Sequence, residues 1–542
     1  MKTKLCLVIL FFNLSSFTAQ SQAWVWARSA GGTSYDLAND IYTDANGNSY
    51  ITGWYQNTVN FGPDTLTSVG GYDFYLAKYD AAGTCLWAQG TGSAMNDIGY
   101  GVVADALGNI YVTGTYWNTV VFGSTALTAS GGSDIFVAKY NSSGVCQWAA
   151  TGGAPVFNEQ GQAIALDASG DVIINGYFMG TATFGTTTFA SYGSSDVFTA
   201  KINSSGAWQW AVQGGSPNGD NGYGVSCDAN NNIYITGYFR STATFGSQTI
   251  TTSGMEDIYI VKYNSAGVCQ WAQKAGGVDD DHGNGIVSDA GGNVYLTGWF
   301  TSGTMSFGTI NITAANSNEE AFVAKYNTSG VPQWAVDVGS AGYEIGTGIC
   351  LDISGNPVIS GTYSATFTIG TTTLNANAGG DFFVARFSNA NGNNMWALNA
   401  AGPDNDVAYK VSSDGLGNIY CAGGFYTTCF FGTISITSLG IADIFLAKID
   451  PTLTGIFAEE NNSEVILFPN PVLNQLSVIS YQLSEIREIE FYNVPGEKVL
   501  SQRLTTNNKQ TTINVSELKS GVYFISITDS KGNRAVKKFV KM

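Results

Sequence analysis

From Trp24 to about Asp450 the chain is a succession of short runs in which apolar and polar residues alternate, separated by clusters of Gly, Asn, Asp and Ser. Alternation over four to eight residues predicts half-buried strands, and the clusters between them predict tight turns. One stretch shows the order. Asp97 to Val102 leads into Asp105-Ala106-Leu107-Gly108-Asn109, then Ile110 to Gly114, then Phe122-Gly123, then Asp134 to Tyr140, and finally Gly144 to Ala149. This predicts four strands, a to d. Asp-x-x-Gly-Asn makes the a–b turn and Asn141-Ser142-Ser143-Gly144 the c–d turn, since Gly and Asn accept a positive φ at little cost.

The same order recurs seven times. A Trp-Ala pair marks strand d at Trp26, Trp87, Trp148, Trp210, Trp271, Trp334 and Trp396, at intervals of 61 to 63 residues. A four-stranded meander cannot bury both its faces alone. Seven of them stacked around an axis bury one another and leave only short edges. The predicted fold is therefore all-β, a seven-bladed β-propeller over residues 24–450. Asp443 to Asp450 gives the seventh unit a strand c but no Trp-Ala strand d, while Trp24-Val25-Trp26-Ala27 is a strand d without a unit. The N-terminal strand is expected to complete the last blade. The core "DALGNIYVTGTY…FG…GGSDIFVAKYNSSGVCQWA" resembles the SBBP-type propeller repeat of secreted bacterial proteins, and the resemblance implies a fold without an activity. Some units drift: Glu320 replaces the Asp before strand c, Arg386 the Lys within it, and Ile369 the Phe before Gly.

The first residues change where such a domain would work. Lys2 and Lys4 precede an apolar run from Leu5 to Leu14, and Ser21-Gln22-Ala23 is a small-x-small exit site, so residues 1–23 read as a signal peptide. No later apolar run is long enough for a transmembrane segment. Seven cysteines remain after Cys6, with no CxxC and no zinc spacing, and most read as small buried hydrophobes.

Residues 24–450 hold 11 Lys/Arg against 32 Asp/Glu, a balance of −21, which argues against nucleic acid as a partner. The acids are periodic. One ring lies at the d–a connections: Asp36, Asp97, Glu159, Asp220, Asp281, Glu344 and Asp406. A second lies at the a–b turns and a third precedes strand c, and a base recurs within strand c from Lys78 to Lys448. A fixed acid and base in every unit suggest a repeated structural link, because an internal Lys is tolerated only when paired. The d–a acids are expected near one mouth of the channel, where oxygen ligands would suit calcium; otherwise no cofactor is required. The alternative is that each carboxylate binds the N–H groups of its own loop.

A site must depart from the repeat. The d–a loops around Pro155–Glu159, Ser216–Asp220 and Asp279-Asp280-Asp281-His282 depart most, and His282 is the only histidine. Asp279, Asp280, Asp281, His282, Asp220 and Glu159 are the binding candidates. No catalytic constellation is evident: there is no Gly-x-Ser-x-Gly elbow, no P-loop and no dinucleotide fingerprint. Trp54, Trp117 and Trp299 after strand b offer planes for sugars, or simply pack between blades.

Beyond Asp450 the pattern stops. Residues 451–464 read as a linker, and 465–542 as about seven short strands of a small β-sandwich. Pro469-Asn470-Pro471, "IEFYNVPGEKV" with Gly496, "INVSELKSGVYFISI" with Gly521 and Tyr523, and the terminal Lys537-Lys538-Phe539-Val540-Lys541 resemble the type A C-terminal sorting domain of the type IX secretion system. The resemblance implies that machinery as a partner and a secreted or surface-attached location. The expected protein is a monomeric, non-enzymatic binding or adhesion scaffold for a surface glycan or protein. A cation-stabilised matrix component and a glycan-active lyase or hydrolase are the alternatives.

Overall fold

A computed structural model describes residues 22–450 apart from 302, 316, 317, 340, 341 and 378, and residues 451, 465–468, 472–480, 486–493, 498–503, 510–519, 521–529 and 534–541. The signal peptide but for its last two residues, nearly all of the linker, and Pro469, Asn470, Pro471 and Gly496 lie outside the described residues. The described regular structure is all strand. Ala23–Asp450 forms one compact unit, and the C-terminal part belongs to another.

Each repeat folds as an antiparallel meander. In the second, strand a is Ile98–Ala104, b is Ile110–Tyr116, c is Asp134–Tyr140 and d is Cys146–Gly152, paired in the order a-b-c-d. The turns form as their residues predict. In the first repeat Asp44 Oδ1 accepts the N–H groups of Asn46 and Asn48, both at 2.9 Å. Asn141 Oδ1 accepts those of Ser143 and Val145 at the c–d turn, where Gly144 takes a φ of 78°. The b–c connection, marked in the sequence only by Phe-Gly, is itself a hairpin, Thr119–Phe122 with Thr125–Thr128. In several repeats this arm pairs with the end of the preceding strand d, as at Gly153 with Thr183 and Gly214 with Phe245.

The N-terminal strand Ala23–Gly32 pairs with strand c of the seventh repeat, Ile434–Asp450, with Trp26 opposite Lys448 and Ala27 opposite Ala447. It stands where that repeat lacks a strand d. Strand a of each repeat lies against strand a of the next, and Val407–Ser413 of the seventh lies against Asp36–Thr43 of the first. The core sits between repeats. Phe74 of the first packs on Phe122 and Phe136 of the second with ring centroids 5.9 and 5.2 Å apart, and burying such rings stabilises by about 1.5–3 kcal/mol each.

The periodic Trp is a second tie between repeats. Its indole N–H donates to a carbonyl in the next c–d turn: Trp87 to Ser142, Trp148 to Ser204, Trp210 to Ser265, Trp271 to Thr328 and Trp334 to Asn389. Trp26 donates to Ala81 of the first repeat at 3.3 Å. Trp396 Nε1 is buried without a partner. It faces the seventh repeat, the one whose strand d comes from the other end of the chain and which therefore has no c–d turn.

The periodic base corrects the expected acid–base link. Lys78, Lys139, Lys262, Lys325 and Lys448 lie 5.1–5.4 Å from the ring centres of Tyr50, Tyr111, Tyr234, Tyr295 and Tyr420, directly across strands b and c. The contact is cation–π, favourable by about 0.5–2 kcal/mol. In the two repeats without that Tyr, Lys201 is opposite Ile173 and Arg386 opposite Val358. There the base turns to carboxylates: Lys201 meets Asp167 at 2.6 Å and Asp171 at 3.0 Å, and Arg386 meets Asp352.

In the C-terminal part, Val465–Phe468, Gln475–Ser480 and Gln510–Asn514 form one sheet. Lys498–Arg503, Ile486–Asn493, Gly521–Asp529 and Arg534–Lys541 form a second. Val478, Ile513, Phe491, Ile525 and Phe539 from the two sheets share one core.

Candidate functional site

The d–a acids do not form the expected metal ring. Asp36, Asp97, Glu159, Asp220, Asp281, Glu344 and Asp406 are all buried, and each is committed to backbone nearby. Gly32, Ser93, Ser216 and Gly277 N–H groups donate to the acid four residues on. Glu159 accepts from Ala154 N–H, Glu344 from Gly342 N–H and Asp406 from Tyr426 N–H. Among the described residues no three His, Cys, Asp or Glu side chains are grouped to hold a metal ion. In four of the seven, the short d–a loop itself delivers the amide four residues back to the carboxylate.

Instead, the acids meet in twos across the seams between repeats. Asp36 faces Asp443, Asp97 faces Asp73, Glu159 faces Asp134, Asp220 faces Asp196, Asp281 faces Asp257 and Asp406 faces Asp381. Burial, with the facing carboxyl adding to it, pushes Asp36 up to about 7, Glu159 to about 8 and Asp281 to about 8.

Inside the a strands lies a cavity of about 320 Å³, within the range of small-ligand sites. Its wall takes the residue three places after the d–a acid from every repeat: Asn39, Tyr100, Gln162, Tyr223, Asn284, Thr347 and Tyr409. Lys410 is the one charged residue lining it. Three phenols, four polar side chains and an ammonium thus face one open cavity.

The entrance is asymmetric. Over the fourth and fifth repeats, the His282 ring is held between Tyr238, 4.3 Å away and stacked, and Trp299, 4.2 Å away. His282 Nε2 meets Glu256, which also accepts Arg240 Nε at 2.7 Å. Burial opposes the charge on Glu256, but these two partners hold its carboxyl below the usual range. Tyr223 connects the cluster to the channel, with its ring 6.2 Å from His282. Over the sixth, seventh and first repeats, the positions equivalent to Trp299 are Thr362, Gly424 and Trp54. A second cavity of about 310 Å³ opens there, lined by Thr362, Gly424, Tyr343, Asn405 and Tyr426, and Tyr409 lines both cavities.

Of the binding candidates, His282 is part of this entrance, while Asp220, Glu159 and Asp281 are buried in the seams. Asp280 supports the loop through its carbonyl, which accepts Thr301 N–H and Oγ1–H. Asp279 belongs to the same loop. Trp54 packs on Tyr72 at 4.0 Å, and the backbone of Trp117 binds Asp97. Lys410, Asp40, Glu256 and Arg240 went unnoticed in the sequence. The available signal was a break in the repeat. Lys410 and Asp40 stand where the other repeats have Gly101, Ala163, Gly224, Gly285 and Gly348. In the C-terminal part, Gly521 begins a strand, and Tyr523 is buried, stacks on Phe539 and donates to Lys519 O at 2.9 Å. Lys537 and Lys538 lie on the last strand.

Residues 466–542 match the family described as Secretion system C-terminal sorting domain. Such a tail indicates export, so the protein is destined for the extracellular space or the cell surface, and the secretion machinery is its partner. Two curated proteins are similar to the chain. A WD repeat-containing protein of Acanthamoeba polyphaga mimivirus, L264, is 23% identical over 78% of this chain, and the regulatory protein FlaEY of Caulobacter vibrioides is 26% identical over 64%. The chain spans 37% and 40% of their lengths. Among solved structures, the quinohemoprotein alcohol dehydrogenase of Comamonas testosteroni is 10% identical, covers 86% of this chain and 81% of its own, and has a TM-score of 0.37. No helix among the described residues is long and apolar enough to cross a membrane.

Proposed function

We propose that residues 24–450 are a closed seven-bladed propeller of the SBBP-repeat type, secreted behind a signal peptide, which binds a surface glycan without turning it over. Closure is supported by the pairing of Ala23–Gly32 with the last strand c and by Trp26 reaching the first repeat. The likeness to a WD repeat-containing protein agrees with it. A type IX sorting tail delivers the propeller outside, with residues 451–464 as the linker.

The binding reading rests chiefly on one observation: a single polar cavity takes a residue from every repeat and opens beside an asymmetric, aromatic-walled entrance. Aromatic planes beside hydroxyl and amide groups suit sugars, which offer apolar ring faces and polar edges. Catalysis is not part of the reading. His282 has both ring faces covered and Nε2 engaged by Glu256, an arrangement that holds the entrance wall. No cation is required by it. The test is a glycan array on the exported protein with and without calcium, repeated with Tyr409→Ala. Binding that Tyr409→Ala abolishes supports the site. Binding unaffected by that change moves the function elsewhere, and cleavage products in the bound fraction would replace the scaffold with an enzyme.

A further inference from the structure

The channel carries a charge that the repeat does not call for. At the strand-a bulge the inner strands approach too closely for most side chains. A Cβ on Gly101 would meet Ile164 at 2.9 Å, one on Gly224 would meet Ile286 at 3.0 Å, and one on Gly348 would meet the Cα of Lys410 at 2.9 Å. Five repeats answer with Gly or Ala, and the adjacent seventh and first repeats carry Lys410 and Asp40 instead. A long ionisable side chain in so tight a place costs desolvation, which burial shows by holding the Lys410 ammonium below its ordinary range, with Asp40 only partly restoring it.

The cost is poorly compensated within the protein. Lys410 Nζ reaches the carbonyls of Asn284 and Thr347, both at 3.4 Å, long for a charge-assisted hydrogen bond. Among the described residues it makes no ion pair within 4.0 Å. Asp40, the nearest carboxylate in charge terms, is itself engaged by Val102 N–H at 2.8 Å. The ammonium therefore has donor capacity facing the 320 Å³ cavity.

We infer that the channel takes a carboxylate-bearing sugar, a uronate, with Lys410 as the partner of its carboxylate. One ammonium matches one negative charge. A phosphate monoester would keep a second charge that a lone Lys leaves unpaired. Tyr100, Tyr223 and Tyr409 then supply hydroxyls and ring planes for the sugar. The inference rests on the glycan-binding reading and narrows its ligand.

The test is calorimetric titration of the exported protein with oligogalacturonides and with the corresponding neutral oligogalactosides, which carry CH2OH in place of the carboxylate. The acid form is expected to bind at least tenfold more tightly. Lys410→Met should erase that preference, so that the acid and neutral forms bind the variant alike. Asp40→Asn, which removes the competing negative charge and keeps Lys410, should strengthen acid binding, and this holds the inference open to test if Lys410→Met fails to fold. Equal binding of both sugars, or a preference that survives Lys410→Met, overturns the uronate inference and leaves glycan binding standing. No binding of either sugar, together with a blank glycan array, removes both.

Discussion

Replacing Glu159 by Gln should stabilise the protein at pH 8 and leave its stability at pH 5 unchanged. Glu159 is fully buried against Asp134, and Glu159 Oε1 and Asp134 Oδ1 otherwise lack a donor. Two ionised carboxylates cannot donate to each other, whereas one proton between them satisfies both oxygens. Burial accordingly raises Glu159 from its ordinary value of 4.5 to about 8. With the folded value above the unfolded one, the native state keeps a proton that the unfolded chain has released. The stabilisation this carries is complete below about pH 4.5 and is lost as the pH rises towards 8. At about 1.4 kcal/mol per pH unit the ceiling is about 5 kcal/mol. The two acids titrate as a unit and the seam is more polar than a dry interior, so about 2 kcal/mol is expected. Gln keeps the shape, offers an N–H to Asp134 and has no proton to lose. Guanidinium denaturation midpoints of the two proteins should coincide at pH 5 and diverge at pH 8, with the variant higher. An offset that is constant with pH would refute the shared proton, as would a parent that gains on the variant between pH 5 and 8.

The remaining predictions test ties within and between repeats and the export signal. Trp334→Phe should cost about 1 kcal/mol by losing its bond to Asn389 O, while Trp396→Phe, which discards an N–H already without a partner, should be neutral or slightly stabilising by the same denaturation assay. Lys201→Met should cost about 3–5 kcal/mol because Asp167 and Asp171 lose their buried partner. Lys139→Met, at the same place in the preceding repeat, should cost about 1 kcal/mol because it gives up a Tyr ring and an exposed hydrogen bond to Ser204 O but leaves no buried charge unpaired. Removing residues 466–542 should leave the protein inside the cell envelope, and fractionation with an antibody to the repeats would show it absent from both medium and surface.

The features legible in the sequence are those fixed by neighbours along the chain. Strand alternation, the Asp-x-x-Gly-Asn turn and the Asn-Ser-Ser-Gly turn depend on a few consecutive residues, and all three form where they were read. The period of 61 to 63 residues exposed the repeat, and the unpaired Trp24-Val25-Trp26-Ala27 pointed to the strand that completes it. Periodicity misled for the d–a acids. Seven equivalent carboxylates suggested one ring, whereas backbone amides nearby engage each of them, in four cases the amide four residues back.

Tertiary structure decided what meets across strands and between repeats. The Lys of strand c has a partner set by strand b: a Tyr ring where there is one, and the turn carboxylates where Ile173 or Val358 stands instead. Lys410 acquires its setting from Asn284, 126 residues away, and from a bulge that brings strand backbones close. His282 was conspicuous as a lone residue, and Trp299 faces it across strands a and b of the same repeat, but Glu256 and Tyr238 become its neighbours only when the fourth and fifth repeats pack. Strands and turns are local minima of the backbone and can be read from short windows. A site is a set of exceptions to the repeat that converge in space, and that convergence is created by the stacking of one repeat on the next.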